Sequence, residues 1–131
     1  MIASPSQAKF LYYMSWLGLP VGILGILNNK RGLGSCVCVG SFIAQNYWKS
    51  PKYDWWRILD ILWIQFLIWS HAWHVFGTHV MIPYYSIQLL GVGFYVISWH
   101  QVKKKNMWKA TLCHGMVHVC ADVSLFLFYI S

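Results

Sequence analysis

The feature that most constrains this chain is a series of long apolar runs separated by short polar segments. Each run has about twenty residues, which as an α-helix is enough to cross the hydrocarbon core of a bilayer. Inside lipid, a helix is the simplest segment that satisfies all of its own backbone hydrogen bonds. The pattern therefore predicts an all-α fold, a polytopic integral membrane helical bundle.

About five runs have the length of a transmembrane helix. We place these predicted spans at residues 9–27, 33–48, 56–76, 82–100 and 107–130. Pro20 and three glycines predict that the first span is a kinked or closely packed helix. The second span is short and rich in small residues, which favours close helix packing but leaves a re-entrant segment as the alternative. Short connections and the absence of a repeat predict that residues 1–131 form a single transmembrane domain.

Composition agrees with lipid as the main surroundings of the chain. Hydrophobic residues make up 58% of it and charged residues only 10%, whereas soluble domains carry about 25% charged residues. The basic residues lie between the apolar runs rather than on one face, which argues against nucleic acid as a partner. The expected surroundings are therefore the lipid bilayer and its anionic headgroups.

The basic residues also predict an orientation. Five spans place the N-terminus and the segments 49–57 and 103–109 on one side, and these hold most of the lysines and arginines. The other side has only Lys30 and Arg31. By the positive-inside rule, the N-terminus and the two basic loops face the cytoplasm or its equivalent.

The last predicted span carries a stripe of ionisable residues. His114, His118 and Asp122 recur every four residues and so share one helix face. Such groups are costly in hydrocarbon and usually face the bundle interior, paired or bound to an ion. Two histidines at this spacing can chelate one metal ion, and Asp122 can orient His118 through a hydrogen bond.

Three more polar residues are expected at a similar depth. At a helical rise of about 1.5 Å per residue, Ser41, Gln45 and Asp60 fall in the same half of the bilayer as the histidine pair. Asp60 is predicted to join the pair as a metal ligand, while Ser41 and Gln45 hold or polarise a water. Zinc suits this set, and a zinc-bound water is the strongest nucleophile the chain can provide. The predicted chemistry is hydrolysis, with Ser41 and Asp60 as catalytic residues.

Two other interpretations of the histidines stay open. His114 and His118 can hydrogen-bond neighbouring helices, with Asp60 as a cap at the start of its helix, paired to Arg57. His71 and His74 can instead hold a metal, or one of them can ligate haem together with the last-span pair. By helical rise, His71 lies about 20 Å from the basic side and His118 about 13 Å, a mismatch that disfavours haem.

These residues resemble the functional residues of one membrane superfamily. It comprises seven-span hydrolases and receptors, including alkaline ceramidases, adiponectin-type receptors and the lipid remodellers that act after glycosylphosphatidylinositol attachment. Its members carry a serine and, four residues later, a histidine on the second span, an aspartate on the third, and an H-x-x-x-H pair on the last. In that superfamily these residues bind a zinc ion that hydrolyses lipid amides or esters.

In this chain Ser41 matches the serine of the superfamily and Asp60 resembles its aspartate. His114 and His118, in "HGMVH", resemble the closing pair. Gln45 stands where the superfamily has its first histidine, and two of the seven spans have no counterpart. The resemblance implies a reduced zinc-dependent membrane hydrolase with a lipid amide or ester as substrate.

A function from a different class also fits the sequence. The chain can be a non-catalytic subunit or assembly partner in a larger membrane complex, with its histidines in interhelix hydrogen bonds or lipid contacts. An enzyme requires a cavity that opens near His114, whereas a subunit requires an extended apolar or aromatic flank that another protein covers.

Overall fold

The structure, a computed structural model, describes residues 3–131, and within that range its regular structure is entirely α-helical. The helices are α1 (Pro5–Ser15), α2 (Gly18–Leu27), α3 (Arg31–Lys49), α4 (Trp55–Val75), α5 (Met81–Lys103) and α6 (Met107–Ile130). Helix accounts for 84% of the described residues. The predicted all-α class is confirmed.

The first predicted span forms two helices because it contains a proline. Pro20 has no N–H to donate to the carbonyl of Trp16, which instead accepts a bond from Leu19 N at 3.1 Å. The helix breaks at Trp16 and Leu17 and resumes at Gly18. The predicted kink is thus present within one continuous segment, Pro5–Leu27.

Three helical segments of the described chain are long and apolar enough to cross a membrane. They are Pro5–Leu27, Met81–Lys103 and Met107–Ile130. These segments support the predicted integral membrane class. Helices α3 and α4 coincide with the second and third predicted spans but are not among these three segments. The described chain thus has three segments apolar enough to cross a membrane, and the five predicted crossings are not confirmed.

The helices pack side by side, and the short connections reverse the chain at each end. Helices α1 and α2 each contact both α3 and α6; α4 packs mainly on α3, and α5 runs along α6. Helix α4 contacts α5 only slightly. The bundle is therefore least closed between α4 and α5.

Two apolar clusters hold the bundle together. The first joins α3, α4, α5 and α6 through Val37, Val75, Tyr84, Leu125, Phe128 and Tyr129. The second joins α1 and α3 through Leu11, Ala44, Tyr47 and Trp48. Along α3, Ser41 lies between the members of the first cluster and those of the second.

Candidate functional site

His114 and His118 lie side by side on α6, as their spacing predicts. Their rings meet edge to face with centroids 5.4 Å apart. The His114 ring also contacts Trp48 of α3 and Tyr95 of α5, with ring centroids 5.5 Å and 6.5 Å apart. The pair therefore faces neighbouring helices, as the sequence predicts for ionisable residues in a bundle.

The Nε2 atom of His118 has an unusual environment. Among the described residues it is the buried side-chain nitrogen or oxygen that has no hydrogen-bond partner. Leaving such an atom unsatisfied costs about 1–3 kcal/mol. Native proteins usually supply a partner, which can be a bound ion, a ligand or an ordered water. This atom is the clearest indication of a ligand site in the bundle interior.

Ser41 and Gln45 form a hydrogen-bonded unit on α3. The hydroxyl of Ser41 donates to the carbonyl of Ser15 and accepts a bond from Gln45 Nε2 at 3.2 Å. The Ser15 carbonyl is available because Leu19 N, its partner in a regular helix, bonds to Trp16 instead. The kink of the first span thus creates the acceptor that holds Ser41.

Asp122 reaches the same region from α6. A Cβ atom added to Gly18 would lie 3.4 Å from the hydroxyl oxygen of Ser41 and 3.9 Å from Oδ1 of Asp122. The carboxyl group and the hydroxyl therefore converge on Gly18, just after the kink. No hydrogen bond joins Asp122 to His118 Nε2 in the described structure, so the orienting role predicted for Asp122 remains a prediction.

Asp60 lies on α4, in its second turn. Together with Arg57 it is close enough to Tyr47 of α3 to act electrostatically on the phenol. Within residues 3–131, no three His, Cys, Asp or Glu side chains gather closely enough to hold one metal ion. The predicted ligand set of His114, His118 and Asp60 is therefore not assembled in this structure. Helix α4 packs mainly on α3, and its hydrogen bond to α6 lies at His71, about three turns from Asp60.

The helix-capping role considered for Asp60 belongs to another residue. Asp54 precedes α4, and its Oδ1 accepts bonds from Trp56 N at 3.1 Å and Arg57 N at 3.4 Å. Asp60 lies in the second turn, too far along the helix to cap it. The alternative interpretation of Asp60 as a cap was wrong.

The second histidine cluster contains a hydrogen-bonded pair that the sequence does not reveal. His71 Nδ1 donates to the carbonyl of Leu67 at 2.9 Å, since a carbonyl can only accept. His71 Nε2 then accepts a bond from the hydroxyl of Tyr129 at 2.6 Å. Both ring nitrogens are occupied, which leaves His71 no nitrogen for a metal or a haem iron. His74 is exposed, and its Nδ1 donates to the carbonyl of Ser70.

A surface cavity lies next to the histidine pair at the N-terminal end of the bundle. It has a volume of about 490 Å³, and its lining includes Lys9, Tyr12, Trp48 and Lys49. Trp48 also contacts the His114 ring. This side chain therefore separates the cavity from the pair, a role that sequence reasoning missed because Trp48 is 66 positions from His114 in the chain.

Comparison of the chain with protein-family models, curated proteins and solved structures gives no match. The superfamily resemblance therefore rests on Ser41, Asp60, His114 and His118 alone.

Proposed function

We propose that the chain is a polytopic membrane protein in which all five helical segments cross the bilayer. Support comes from α4, in which only His71 and Val75 are buried within the protein. Its exposed side chains include Ile61, Leu62 and Trp69, which lipid would cover. In this arrangement the N-terminus and the two basic loops face the cytoplasm or its equivalent.

Within this membrane protein we propose a zinc-dependent hydrolase centre at His114 and His118, acting on a lipid amide or ester. The observation that carries the proposal is the buried, unpartnered Nε2 of His118 beside the His114 ring. Imidazole nitrogens are favoured zinc ligands. Zinc, when bound, activates a water and polarises a carbonyl group.

The other predicted residues have distinct parts in this proposal. Asp60 is the third ligand, which requires the end of α4 that carries it to move toward α6, while the hydrogen bond between His71 and Tyr129 holds the other end of α4 on α6. Ser41 and Gln45 already form one hydrogen-bonded unit that can hold a polar substrate group. Trp48 borders the cavity through which a lipid substrate would approach.

The test is the metal content of detergent-purified protein, measured by elemental mass spectrometry. We expect about one zinc per chain for the wild type, as tetrahedral histidine sites hold a single ion. His114→Ala and His118→Ala should each lose the metal. His100→Ala is the matched control, because His100 is exposed on α5. A metal-free wild type, or equal metal in all variants, would contradict the proposal.

A second test concerns the reaction. Protein that holds zinc should release fatty acid from a lipid amide or ester supplied in mixed micelles. Asp60→Asn and Ser41→Ala should reduce this release. Asp54→Asn should retain it, because Asp54 acts as the N-cap of α4 and asparagine can replace it there. If zinc is bound and none of the offered lipids is cleaved, the metal site stands and the hydrolase assignment fails.

An assembly role is the second candidate, and the outer face of α4 favours it. Trp69 is 71% exposed and Trp73 is 81% exposed, and tryptophan is enriched at protein interfaces. A photocrosslinking residue at position 69 should capture one partner protein of defined mass from native membranes. The same residue at Leu89, an exposed position on α5, is the control. Capture of lipid alone at position 69 would remove this candidate.

A further inference from the structure

A second cavity, of about 570 Å³, lies at the end of the bundle opposite the N-terminus. There the α2–α3 turn, the α4–α5 loop and the end of α6 meet. We call it the basic cavity, and its lining includes Lys30, Arg31, His74, Thr78, His79 and Phe128. Neither histidine of the α6 pair belongs to this lining, so the basic cavity is separate from the proposed metal centre.

The charged side chains that line the basic cavity have one sign. Lys30 and Arg31 are the only lysine and arginine at this end of the described bundle, and both line the cavity. His74 and His79 add two groups that can donate hydrogen bonds, and no aspartate or glutamate side chain is part of the described lining. The first turn of α3 borders the same space, and its partial positive charge acts in the same direction.

Local structure holds these basic groups at the cavity. The chain turns at Asn29, whose φ is 63°, and Lys30 N then donates to the carbonyl of Gly25 at 2.9 Å. The ammonium group of Lys30 lies over the ring of Phe128, 5.0 Å from its centroid. His74 donates from Nδ1 to the carbonyl of Ser70, so its Nε2 can donate to a phosphate oxygen only in the imidazolium form.

We propose that the basic cavity binds the phosphate-bearing headgroup of an anionic membrane lipid. Arginine matches the geometry of a phosphate group, and lysine adds a second positive charge. The volume lies within the range of small-molecule sites. The cavity lies where the helices end, the level at which headgroups meet a membrane protein.

Apolar side chains at the same end point to a lipid rather than a free anion. Leu27, at the end of α2, is 75% exposed, and Phe76, after α4, is equally exposed. Ile82 at the start of α5 is 73% exposed. Acyl chains of a lipid whose headgroup fills the basic cavity would cover these side chains, whereas inorganic phosphate would leave them bare.

Ser131 also borders the basic cavity. A carboxylate at this residue would compete with a phosphate group for Lys30 and Arg31. The binding measurements therefore use the full chain extended beyond Ser131 by a short neutral tail, and the unextended chain is measured beside it. The extended chain should bind the headgroup at least as tightly.

The experiment is a titration of detergent-purified protein followed by native mass spectrometry. The probes are dioctanoyl phosphatidate, dioctanoyl phosphatidylcholine and inorganic phosphate. We expect phosphatidate to bind more tightly than either of the other two. In Lys30→Gln/Arg31→Gln its affinity should fall by about tenfold or more, the loss expected when charge-assisted hydrogen bonds are removed.

The matched control is Lys104→Gln/Lys105→Gln, which makes the same change in net charge at exposed residues outside the basic cavity. It should bind phosphatidate like the wild type. His74→Gln, also at an exposed residue, is a second cavity variant that should weaken binding. Circular dichroism confirms that each variant keeps its helix content.

Three results would overturn the inference. One is equal phosphatidate affinity in the wild type and both cavity variants. Another is equal affinity for phosphatidate and phosphatidylcholine. If inorganic phosphate bound as tightly as phosphatidate, the ligand would be a free anion and the lipid assignment would fail. None of these results depends on whether His114 and His118 hold zinc.

Discussion

At the scale of single residues, His118 is the side chain whose buried position most clearly calls for a hydrogen-bond partner or a bound ligand. Its neighbour His114 contacts two aromatic rings and lies beside it on the same helix. A histidine that served only in helix packing would be expected to hydrogen-bond a neighbouring helix. His118 Nε2 makes no such bond in the described structure, so a bound ligand accounts for this atom better than helix packing does.

If His118 binds zinc, adding zinc should reverse the order of stability of the wild type and His118→Leu. In chelator-treated protein, His118→Leu should be more stable than the wild type by about 1–3 kcal/mol, because the unsatisfied nitrogen is gone. In excess zinc the wild type should become the more stable, since only it binds the metal. Thermal unfolding followed by tryptophan fluorescence measures both states. His100→Leu should show no reversal, and a wild type that does not respond to zinc would count against the metal site.

The buried pair of His71 and Tyr129 is a second residue-scale feature. It links α4 to α6 through a hydrogen bond of 2.6 Å, and the two side chains are 1% and 0% exposed. Tyr129 also fills the space beside Gly25, where a Cβ atom would lie 2.8 Å from its ring. The pair is thus a structural junction that fixes the outer helix α4.

Tyr129→Phe should lower the free energy of unfolding by about 1–3 kcal/mol, because His71 Nε2 is left buried without a donor. Tyr95→Phe, at an exposed tyrosine, should change it little. Adding His71→Leu to Tyr129→Phe should cost less than the two single changes together, since both polar partners are then absent. Additive losses would show that the hydrogen bond contributes no stability of its own.

At the scale of helices, α2 and α3 approach each other closely at two glycines. A Cβ atom added to Gly22 would lie 2.5 Å from the sulfur of Cys38 and 2.7 Å from the carbonyl oxygen of Gly34. A Cβ on Gly34 would in turn collide with the carbonyl oxygen of Gly22. The small residues of the two helices therefore allow their backbones to meet, as is common in membrane bundles.

Gly22→Ala should separate α2 from α3 and destabilise the protein by about 1–3 kcal/mol. Gly93→Ala is the matched control, because no atom lies within 4 Å of the added Cβ on α5. There the better helix propensity of alanine should stabilise the protein by up to about 1 kcal/mol. Unfolding transitions in mild detergent report both effects, and equal behaviour of the two variants would contradict the packing argument.

At the scale of the whole molecule, the two cavities lie at opposite ends. The N-terminal cavity is lined by residues of α1 and the α3–α4 connection, and the basic cavity by the α2–α3 turn, the α4–α5 loop and the end of α6. Segments that a five-span topology assigns to one side of the membrane thus come together. This grouping agrees with a topology in which successive helical segments cross the membrane in alternating directions.

Five crossings predict that Lys30 and Lys52 lie on opposite sides of the membrane. In a chain whose native cysteines are replaced by serine, Lys30→Cys and Lys52→Cys should react with an impermeant maleimide from opposite sides of sealed vesicles. Lys104→Cys should react from the same side as Lys52→Cys. If only the three most apolar segments crossed, Lys30→Cys and Lys52→Cys would be labelled from one side.

Much of this architecture follows from the sequence. The apolar runs and the polar residues between them predict each helical segment, and Pro20 predicts the kink, because hydropathy and backbone chemistry are local properties. The spacing of His114 and His118 places them on one face for the same reason. Helical rise also gives the depth of Ser41 and Asp60 along their helices.

Only the tertiary structure decided which helices are neighbours. Depth along the bundle does not say which helix α4 packs on, and so it did not separate Asp60 from the histidine pair. Nor does it predict Tyr129 beside His71, 58 positions earlier, or Ser41 at the carbonyl that the kink releases. The sequence determined where each residue lies along its helix and which residues share a helix face, because both depend on the regular helical rise and repeat. Lateral arrangement depends on close contacts between distant segments, which no local pattern encodes.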